Sequence, residues 1–285
     1  MLEFDSVSKA YGPKQVLDDL SFNVRPGEMF GFCGANGAGK TTTMRIALGL
    51  VRLDRGAVRW QGRDVDLDVR RRFGYMPEER GLYPKMRAVE QLTYFGMLHG
   101  MAGKVAARNA EDLLELLGVK QGPRDSLEKL SLGNQQKVQL AAALVHDPEV
   151  LILDEPFSGL DPVGVDALTD ALLARCRNGV PVIFSSHQLD LVERVCDSVG
   201  IINHGRMVAV GRSPNSGSGR AAGSCGSWRP TRLPGGRPAY PESGSSPSKP
   251  ARCCSNWTTP RATRRCSPRR SGRGGYSTSA GGRRP

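Results

Sequence analysis

A chain of 285 residues is long enough for one large or two modest domains with a buried core. Its formal net charge of +12 is typical of proteins that bind nucleic acid or an anionic membrane surface. However, residues 1–212 contain 26 basic and 27 acidic side chains, whereas residues 213–285 contain 14 basic side chains and the single acid Glu242. The near-neutral first part therefore argues against nucleic acid as its partner.

The cysteines and the apolar runs exclude further classes of protein. None of the seven cysteines forms a C-x-x-C pair, so we expect reduced thiols rather than a zinc or redox site. No run reaches the roughly 18 apolar residues of a membrane-spanning helix. The N-terminus contains acids and lacks the apolar segment of a signal peptide. We therefore expect a cytoplasmic protein.

Strand and helix patterns alternate through residues 1–212, which predicts an α/β fold with a largely parallel sheet. MLEFDSVSKAYG and VLDDLSFNVRPGE alternate with period two and end at turn signals, which predicts an N-terminal antiparallel β part. MFGFCG is a short apolar strand, KTTTMRIALGLV has helical spacing, and AARNAEDLLELLG predicts a helix that stops at Gly118. EVLILDEP and PVIFSSH are typical of central parallel strands.

The segment GANGAGKTT matches G-x-x-x-x-G-K-[ST] between a predicted strand and a predicted helix. Its glycines let backbone N–H groups close around phosphate oxygens, and the helix N-terminus adds a favourable dipole. The Lys40 amine would reach the β- and γ-phosphates, and the Thr41 hydroxyl would bind Mg²⁺. The predicted phosphate contacts are Gly34, Asn36, Gly37, Gly39, Lys40, Thr41 and Thr42.

Three further polar residues follow predicted strands, at the sheet edge where α/β proteins bind ligands. Asp154 can hold Mg²⁺ there, and Glu155 can deprotonate an attacking water. By themselves these acids are also typical of a solvated strand end or a helix cap, and a lone histidine such as His187 is usually structural. When a phosphate loop precedes them in the sequence, these acids and His187 indicate the catalytic half of an ATPase, with His187 donating to the γ-phosphate.

The segment LEKLSLGNQQKVQLAAALVHDP predicts a second anion site. Ser131 begins a helix, called the signature helix below, whose N-terminus offers free N–H groups beside a hydroxyl. Ser131 alone would be read as a helix cap. The predicted apolar face of the helix contains Val138, Leu140, Ala142 and Leu144. The order of phosphate loop, LSLGNQQ, LILDEP, SGLD and SSH resembles the ATP-binding cassette (ABC) ATPases across residues 1–212.

This resemblance implies that two cassettes dimerise head to tail and hold each ATP between the phosphate loop of one and the signature helix of the other. Ser131 and Gly133 would then contact the γ-phosphate of the ATP bound to the partner. Asp161, in SGLD, matches the loop through which the two cassettes communicate.

The resemblance also assigns roles inside one chain. Tyr11 in KAYG matches the aromatic residue that stacks on adenine, although a tyrosine at a surface turn is the simpler interpretation of that residue alone. Glu155 would be the general base and His187 the γ-phosphate contact. Glu78 stands where the family usually has a glutamine that binds Mg²⁺, and a carboxylate can also bind Mg²⁺. The signature reads LSLGN instead of LSGGQ, which keeps the hydroxyl and the glycine N–H.

YMPEERGLYPKM, LSLGNQQKVQ and SSHQLDLVERVCD look most like the cassette subunits of bacterial ABC-2-type exporters of sodium and drugs. This resemblance implies an ATPase on the inner face of the cell membrane that drives a separate permease, with residues 74–101 including the permease surface. The alternative is a non-transport cassette for DNA repair, translation or assembly. Such proteins carry two cassettes in one chain or insert coiled coils or zinc motifs, and this sequence has neither feature.

We therefore predict an ABC ATP-binding domain over residues 1–212, with a parallel core and a helical subdomain at about residues 85–145. Residues 213–285 are rich in Gly, Ser, Pro and Arg, so we expect a disordered tail. One hypothesis is a basic tail that contacts lipid head groups. We favour a frameshift, because residues 214–220 can be encoded by GC-rich codons that, shifted by one base, give Glu-Leu-Arg-Glu-Arg-Ala. Resequencing codons 205–215 tests this.

Overall fold

The computed structural model describes residues 1–79, 81–119, 122 and 125–213. The predicted tail lies outside the described residues except for Ser213. Ser213 is buried, its N–H donates to the Asp197 carbonyl at 2.8 Å, and its hydroxyl donates to the Glu193 carbonyl at 2.7 Å. The folded part thus extends at least one residue past the predicted boundary.

The described residues form ten strands in two sheets. The strands are β1 Leu2–Tyr11, β2 Lys14–Val24, β3 Met29–Cys33, β4 Arg55–Trp60, β5 Arg63–Asp64, β6 Phe73–Met76, β7 Val150–Asp154, β8 Val182–Ser186, β9 Ser198–Asn203 and β10 Arg206–Arg212. The first sheet has the order β2-β1-β4-β5 and is antiparallel, as the period-two pattern predicts. Gly12 begins its first turn with a φ of 57°, which glycine adopts without steric cost.

The second sheet has the order β10-β9-β3-β8-β7-β6. Its strands pair in parallel except for β10, which runs antiparallel to β9 at the edge. Every residue of β3, β7 and β8 is buried, as their continuous apolar runs predict. Alternate residues of β7 enter different cores: Leu151 and Leu153 pack with the helices, whereas Val150 and Ile152 pack with the antiparallel sheet. The parallel sheet therefore lies between two cores and carries the polar ends of its strands at one edge.

The helices are α1 Lys40–Ala47, α2 Leu67–Arg70, α3 Ala88–Leu98, α4 Gly103–Leu116, α5 Leu132–Leu144, α6 Pro162–Arg177 and α7 Leu189–Val195, with a short 3-10 helix at Leu127–Lys129. Helices α3, α4 and α5 pack against one another and lie within the predicted helical part. α4 ends two residues before Gly118, whose φ is 62°. None of the helices in the described ranges has both the length and the apolar character needed to cross a bilayer.

The signature helix α5 lacks the single apolar face that its sequence suggested. Val138, Leu140 and Leu144 are buried and Ala142 is partly buried, but Ala141 on another side is buried too. Residues two apart on a helix point in nearly opposite directions. The helix is buried around most of its circumference because α3, α4 and β6 all pack against it.

A buried glutamine in α3 gives a prediction about stability. Gln91 is 0 % exposed, and among the described residues neither its Nε2 nor its Oε1 has a hydrogen-bond partner. Since each unpaired buried polar group costs about 1–3 kcal/mol, Gln91→Met should stabilise the chain by about 1–2 kcal/mol. A higher Tm in thermal unfolding is the expected result. Gln135→Met is the control and should lower the Tm, because Gln135 Nε2 donates to the Leu127 and Leu130 carbonyls. A Tm for Gln91→Met at or below that of the parent would contradict the prediction.

Candidate active site

An open cavity of about 510 Å³ lies at the carboxyl ends of β3 and β7. It brings together most of the residues that the sequence singled out. Its lining includes the loop residues Asn36, Gly37, Gly39, Lys40, Thr41 and Thr42, the acids Glu78, Asp154 and Glu155, and Tyr11, Lys14 and Val16. Lys14 and Val16 were not predicted. They come from the start of β2, next to the turn that follows Tyr11.

The glycine-rich loop connects β3 to α1 and needs its glycines for backbone conformation. Gly37 and Gly39 have φ values of 80° and 113°, in the left-handed region that side chains avoid. Gly39 is the N-cap of α1, and its carbonyl accepts from the Thr43 N–H and hydroxyl, both at 2.9 Å. The first N–H groups of α1 therefore face the cavity without intrahelical partners.

Lys40 is buried at 6 % exposure in the first turn of α1. Its Nζ donates to the carbonyls of Gly34 and Ala35 at 2.7 and 3.4 Å. No carboxylate pairs with this amine in the described part of the chain. Gly34 is not among the residues that line the cavity. It packs against β9, since a Cβ there would stand 2.5 Å from the Ile202 carbonyl oxygen.

Asp154 ends β7 and is 1 % exposed. The Ser185 hydroxyl donates to its Oδ1, and the Glu155 N–H donates to the same hydroxyl oxygen at 2.9 Å. The Asp154 Oδ2 has no hydrogen-bond partner among the described residues. One carboxylate oxygen is thus anchored and the other is left for a ligand. Sequence reasoning missed Ser185, although the two serines that end the apolar strand β8 were a signal.

Glu155 follows with a φ of 51°, a left-handed conformation that costs a non-glycine residue about 1 kcal/mol or more. Its Oε1 lies 3.0 Å from the Nδ1 of His187. The glutamate side chain is 11 % exposed, whereas that of His187 is 52 % exposed. The structure therefore joins the predicted base to the predicted histidine, and this histidine keeps its outer side open to solvent.

The signature helix holds both acid-bearing loops through two glutamines that were not predicted as functional residues. Gln136 Nε2 donates to the carbonyls of Glu155 and Pro156 at 3.3 and 3.0 Å. Gln139 Nε2 donates to the carbonyls of Pro77 and Glu79 at 2.6 and 3.3 Å. Both side chains are buried. Two glutamines three residues apart lie on the same side of a helix, and this spacing was the sequence signal for them.

Gly34 and His187 contact residues of the cavity without lining it themselves, and three further predicted residues lie apart from it. In the described part of the chain, the cavity lining does not include Ser131, Gly133 or Asp161. Ser131 is exposed at the N-cap of α5, where its hydroxyl accepts from the Asn134 N–H at 3.3 Å. Asp161 caps α6 by accepting from the Gly164 N–H at 2.9 Å. Within one chain the two predicted anion sites are therefore separate.

Two pKa shifts describe the environment of the site. Burial raises the pKa of the Cys33 thiol, directly before the loop, to about 12, so this thiol stays protonated at neutral pH and is a poor nucleophile. Burial, with a contribution from the Asp154 carboxylate, also raises the pKa of Tyr75. Both groups are neutral at physiological pH, which leaves the lysines and carboxylates as the charges of the cavity.

A glycine-rich loop between a strand and a helix, with acids at the end of a neighbouring parallel strand, defines a P-loop nucleotide hydrolase. The family profile described as ABC transporter matches residues 17–158. The ABC transporter ATP-binding protein YhaQ of Bacillus subtilis (strain 168) is 44 % identical over 212 residues, which cover 74 % of this chain and 71 % of that protein.

The Nod factor export ATP-binding protein I of Paraburkholderia xenovorans (strain LB400) is 38 % identical, over 74 % of this chain and 70 % of that protein. A solved ATP-binding subunit of an ABC transporter superposes with a TM-score of 0.69 at 34 % identity, covering 74 % of this chain and 90 % of that one. The chain belongs to the family of ABC transporter ATP-binding proteins. It is an ATP-binding subunit that hydrolyses ATP to power transport, and the predicted α/β cassette fold is confirmed.

Proposed function

We propose that this chain is the ATPase subunit of an exporter and acts as a head-to-tail dimer on a separate permease at the inner face of the membrane. The proposed dimer is supported by the separation of the two predicted anion sites within one chain. The exposed N-terminus of the signature helix, with Ser131 and Gly133, lies outside the cavity that holds the phosphate loop. A second copy, turned head to tail, would bring its Ser131 and Gly133 to this cavity, with Asp161 beside the contact.

The charges of the cavity support an ATP complex with Mg²⁺. Three carboxylates, from Glu78, Asp154 and Glu155, line the same space as the amines of Lys14 and Lys40. Carboxylates repel phosphate oxygens unless a divalent cation lies between them. The Asp154 Oδ2 is buried without a hydrogen bond, and it fits such a ligand because Mg²⁺ binds oxygen atoms.

We assign the Mg²⁺ ligands to Thr41, Asp154 and Glu78, all of which line the cavity. The described residues contain no cluster of three or more histidine, cysteine or acidic side chains arranged to hold a metal ion. Two carboxylates and one hydroxyl suit Mg²⁺, which usually binds through one or two carboxylates together with substrate phosphates and water. The ion, when bound, would neutralise charge that develops on the phosphates.

The geometry of Glu155 suits a general base. An attacking water would form a bond to the γ-phosphorus while the bond to the β–γ bridging oxygen breaks, and Glu155 would take the proton of the water. The His187 Nδ1 lies 3.0 Å from the Glu155 Oε1, and the other ring nitrogen would donate to the γ-phosphate when the ring carries both protons. Lys40 and the loop N–H groups from Gly37 to Thr42 would bind the transferred phosphate and ADP.

Tyr11 supplies an aromatic surface for adenine and gives a testable prediction. It lines the cavity, its exposure is 50 %, and the Lys9 Nζ lies 5.3 Å from the centroid of its ring. Stacking on a base contributes about 1–3 kcal/mol, and the low end applies to a half-exposed ring. We expect Tyr11→Ala to weaken ATP binding by about fivefold, measured by titration with a fluorescent ATP analogue. Tyr11→Phe should bind like the parent, and so should Tyr83→Ala, which alters a similarly exposed tyrosine outside the cavity.

A groove in the helical part offers a surface for the permease. It has a volume of about 220 Å³ and is lined by Leu82, Phe95 and Leu98 together with residues of β6, of α5 and of the loop before α3. The side chains of Tyr83, Tyr94 and Met97 are exposed beside it. Exposed apolar groups of this kind mark protein contacts, and they lie within the predicted permease segment, residues 74–101.

The transport assignment is tested by asking what the full-length chain binds in its own cells. Crosslinking followed by fractionation should recover the tagged chain with membranes and attached to a protein with several spanning segments. Export is supported by the relative named for Nod factor export. Recovery with ribosomes or nucleic acid, and without a membrane protein, would support the alternative of a non-transport cassette.

A further inference from the structure

Gln139 holds the loop that carries Glu78 from both sides of that residue. Its Nε2 donates to the Pro77 carbonyl at 2.6 Å and to the Glu79 carbonyl at 3.3 Å. Both N–H groups of the amide therefore donate hydrogen bonds to the residues on either side of Glu78. The Gln139 side chain is 3 % exposed, so this contact is shielded from competing water.

The loop separates two spaces. Pro77 and Gln139 line the groove in the helical part, whereas Glu78 lines the ATP cavity. A shift of the Pro77–Glu79 backbone toward or away from α5 would therefore move the Glu78 carboxylate relative to Asp154. The amide of Gln139 opposes such a shift because it is fixed to a helix packed into the core.

We propose that Gln139 is the positioning residue for Glu78 and sets the affinity of the ATP site for its divalent cation. This inference rests on the proposed role of Glu78 as a metal ligand. A residue that hydrogen-bonds to the segment carrying a metal ligand fixes the orientation of that ligand, and its loss commonly weakens metal binding by about 10- to 100-fold.

Stability alone does not account for a glutamine at this position. The Gln139 Oε1 is buried and has no hydrogen-bond partner among the described residues. An apolar side chain of the same length would remove this unpaired acceptor, which favours folding, but it would leave the two carbonyls without their donor. What such a side chain cannot replace is the hold on the Pro77 and Glu79 carbonyls.

The chain provides a matched control on the same helix. Gln136 is equally buried and donates in the same way to the Glu155 and Pro156 carbonyls. Gln136→Met removes an identical amide but leaves the Glu78 loop in place. We expect it to lower the rate of ATP hydrolysis with little change in metal affinity.

The experiment measures Mn²⁺ binding to the full chain with a non-hydrolysable ATP analogue, using the electron paramagnetic resonance signal of free Mn²⁺. Gln139→Met should weaken Mn²⁺ binding on the order of tenfold, and Gln136→Met should match the parent. Binding of the analogue without metal should be unchanged in both. If Gln139→Met fails to fold, Gln139→Asn takes its place, since it keeps the amide but is one methylene too short to hold both carbonyls.

A double variant separates this inference from the proposed role of Glu78. Glu78→Ala should weaken Mn²⁺ binding, and adding Gln139→Met should weaken it no further, because both changes act on one ligand. An additive loss, or parent-like binding in Gln139→Met beside a weakened Glu78→Ala, overturns the inference while the metal role of Glu78 stands. Parent-like binding in Glu78→Ala overturns that role and the inference with it.

Discussion

Replacing Glu155 with glutamine is expected to lower ATP hydrolysis by about 10²- to 10⁴-fold while ATP binding persists. The amide keeps the shape of the side chain, but it cannot take a proton from water. Because Gln136 and Ser185 hold the backbone of Glu155 through its carbonyl and N–H, the change should leave the loop in place. Phosphate release at saturating ATP measures the rate, and light scattering during size-exclusion chromatography measures the dimer.

Blocking hydrolysis should also trap the ATP-bound dimer, which the parent would lose after each turnover. Glu149→Gln is a suitable control, because Glu149 lies outside the cavity and pairs with Arg72. This control should hydrolyse ATP and dissociate like the parent. Parent-like turnover in Glu155→Gln would show that another group removes the proton.

Replacing Lys40 with alanine should have the second large effect, because it removes the cation in the first turn of α1. Loss of one donor to the transferred oxygens typically costs about 10²- to 10³-fold in rate, and we expect a loss in this range. The fold should survive, since the Lys40 amine is buried against two carbonyls with no carboxylate partner among the described residues. Burying a cation in this way does not favour folding.

Steady-state hydrolysis and ATP binding are the measurements for Lys40→Ala, with thermal unfolding as the check on the fold. Lys14→Ala is the control, because Lys14 also lines the cavity but is exposed at the start of β2. It should change the rate far less. Equal losses in the two variants would mean that general positive charge, and not the position of Lys40, binds the phosphates.

The parts of the site that were predictable from sequence are those fixed by local chain geometry. The N–H groups of a glycine-rich loop converge where the loop connects a buried strand to a helix. Gly37, Gly39 and Lys40 lie at such a connection. Asp154 and Glu155 were predictable because a fully apolar strand places whatever follows it at the edge of the sheet. Tyr11 and Glu78 reach the same cavity, and their positions were predicted through the family resemblance.

The residues that were missed act through contacts between distant segments. Ser185 is 31 positions from Asp154, and Gln139 is 62 positions from Pro77. No local pattern specifies that these segments meet. The predicted apolar face of α5 was wrong for a related reason. Helices and a sheet strand cover most of this helix, so its apolar residues lie on several sides instead of recurring with one helical period.

The composite site is the central claim, and mixing two inactive variants tests it most directly. Lys40→Ala disables the phosphate loop, and Ser131→Arg disables the signature helix, so neither variant alone should hydrolyse ATP. If the site forms between two copies, the mixed dimer contains one intact site, and an equimolar mixture should recover up to about a quarter of the parent activity. A mixture no more active than the sum of the separate variants would contradict a site shared between two chains.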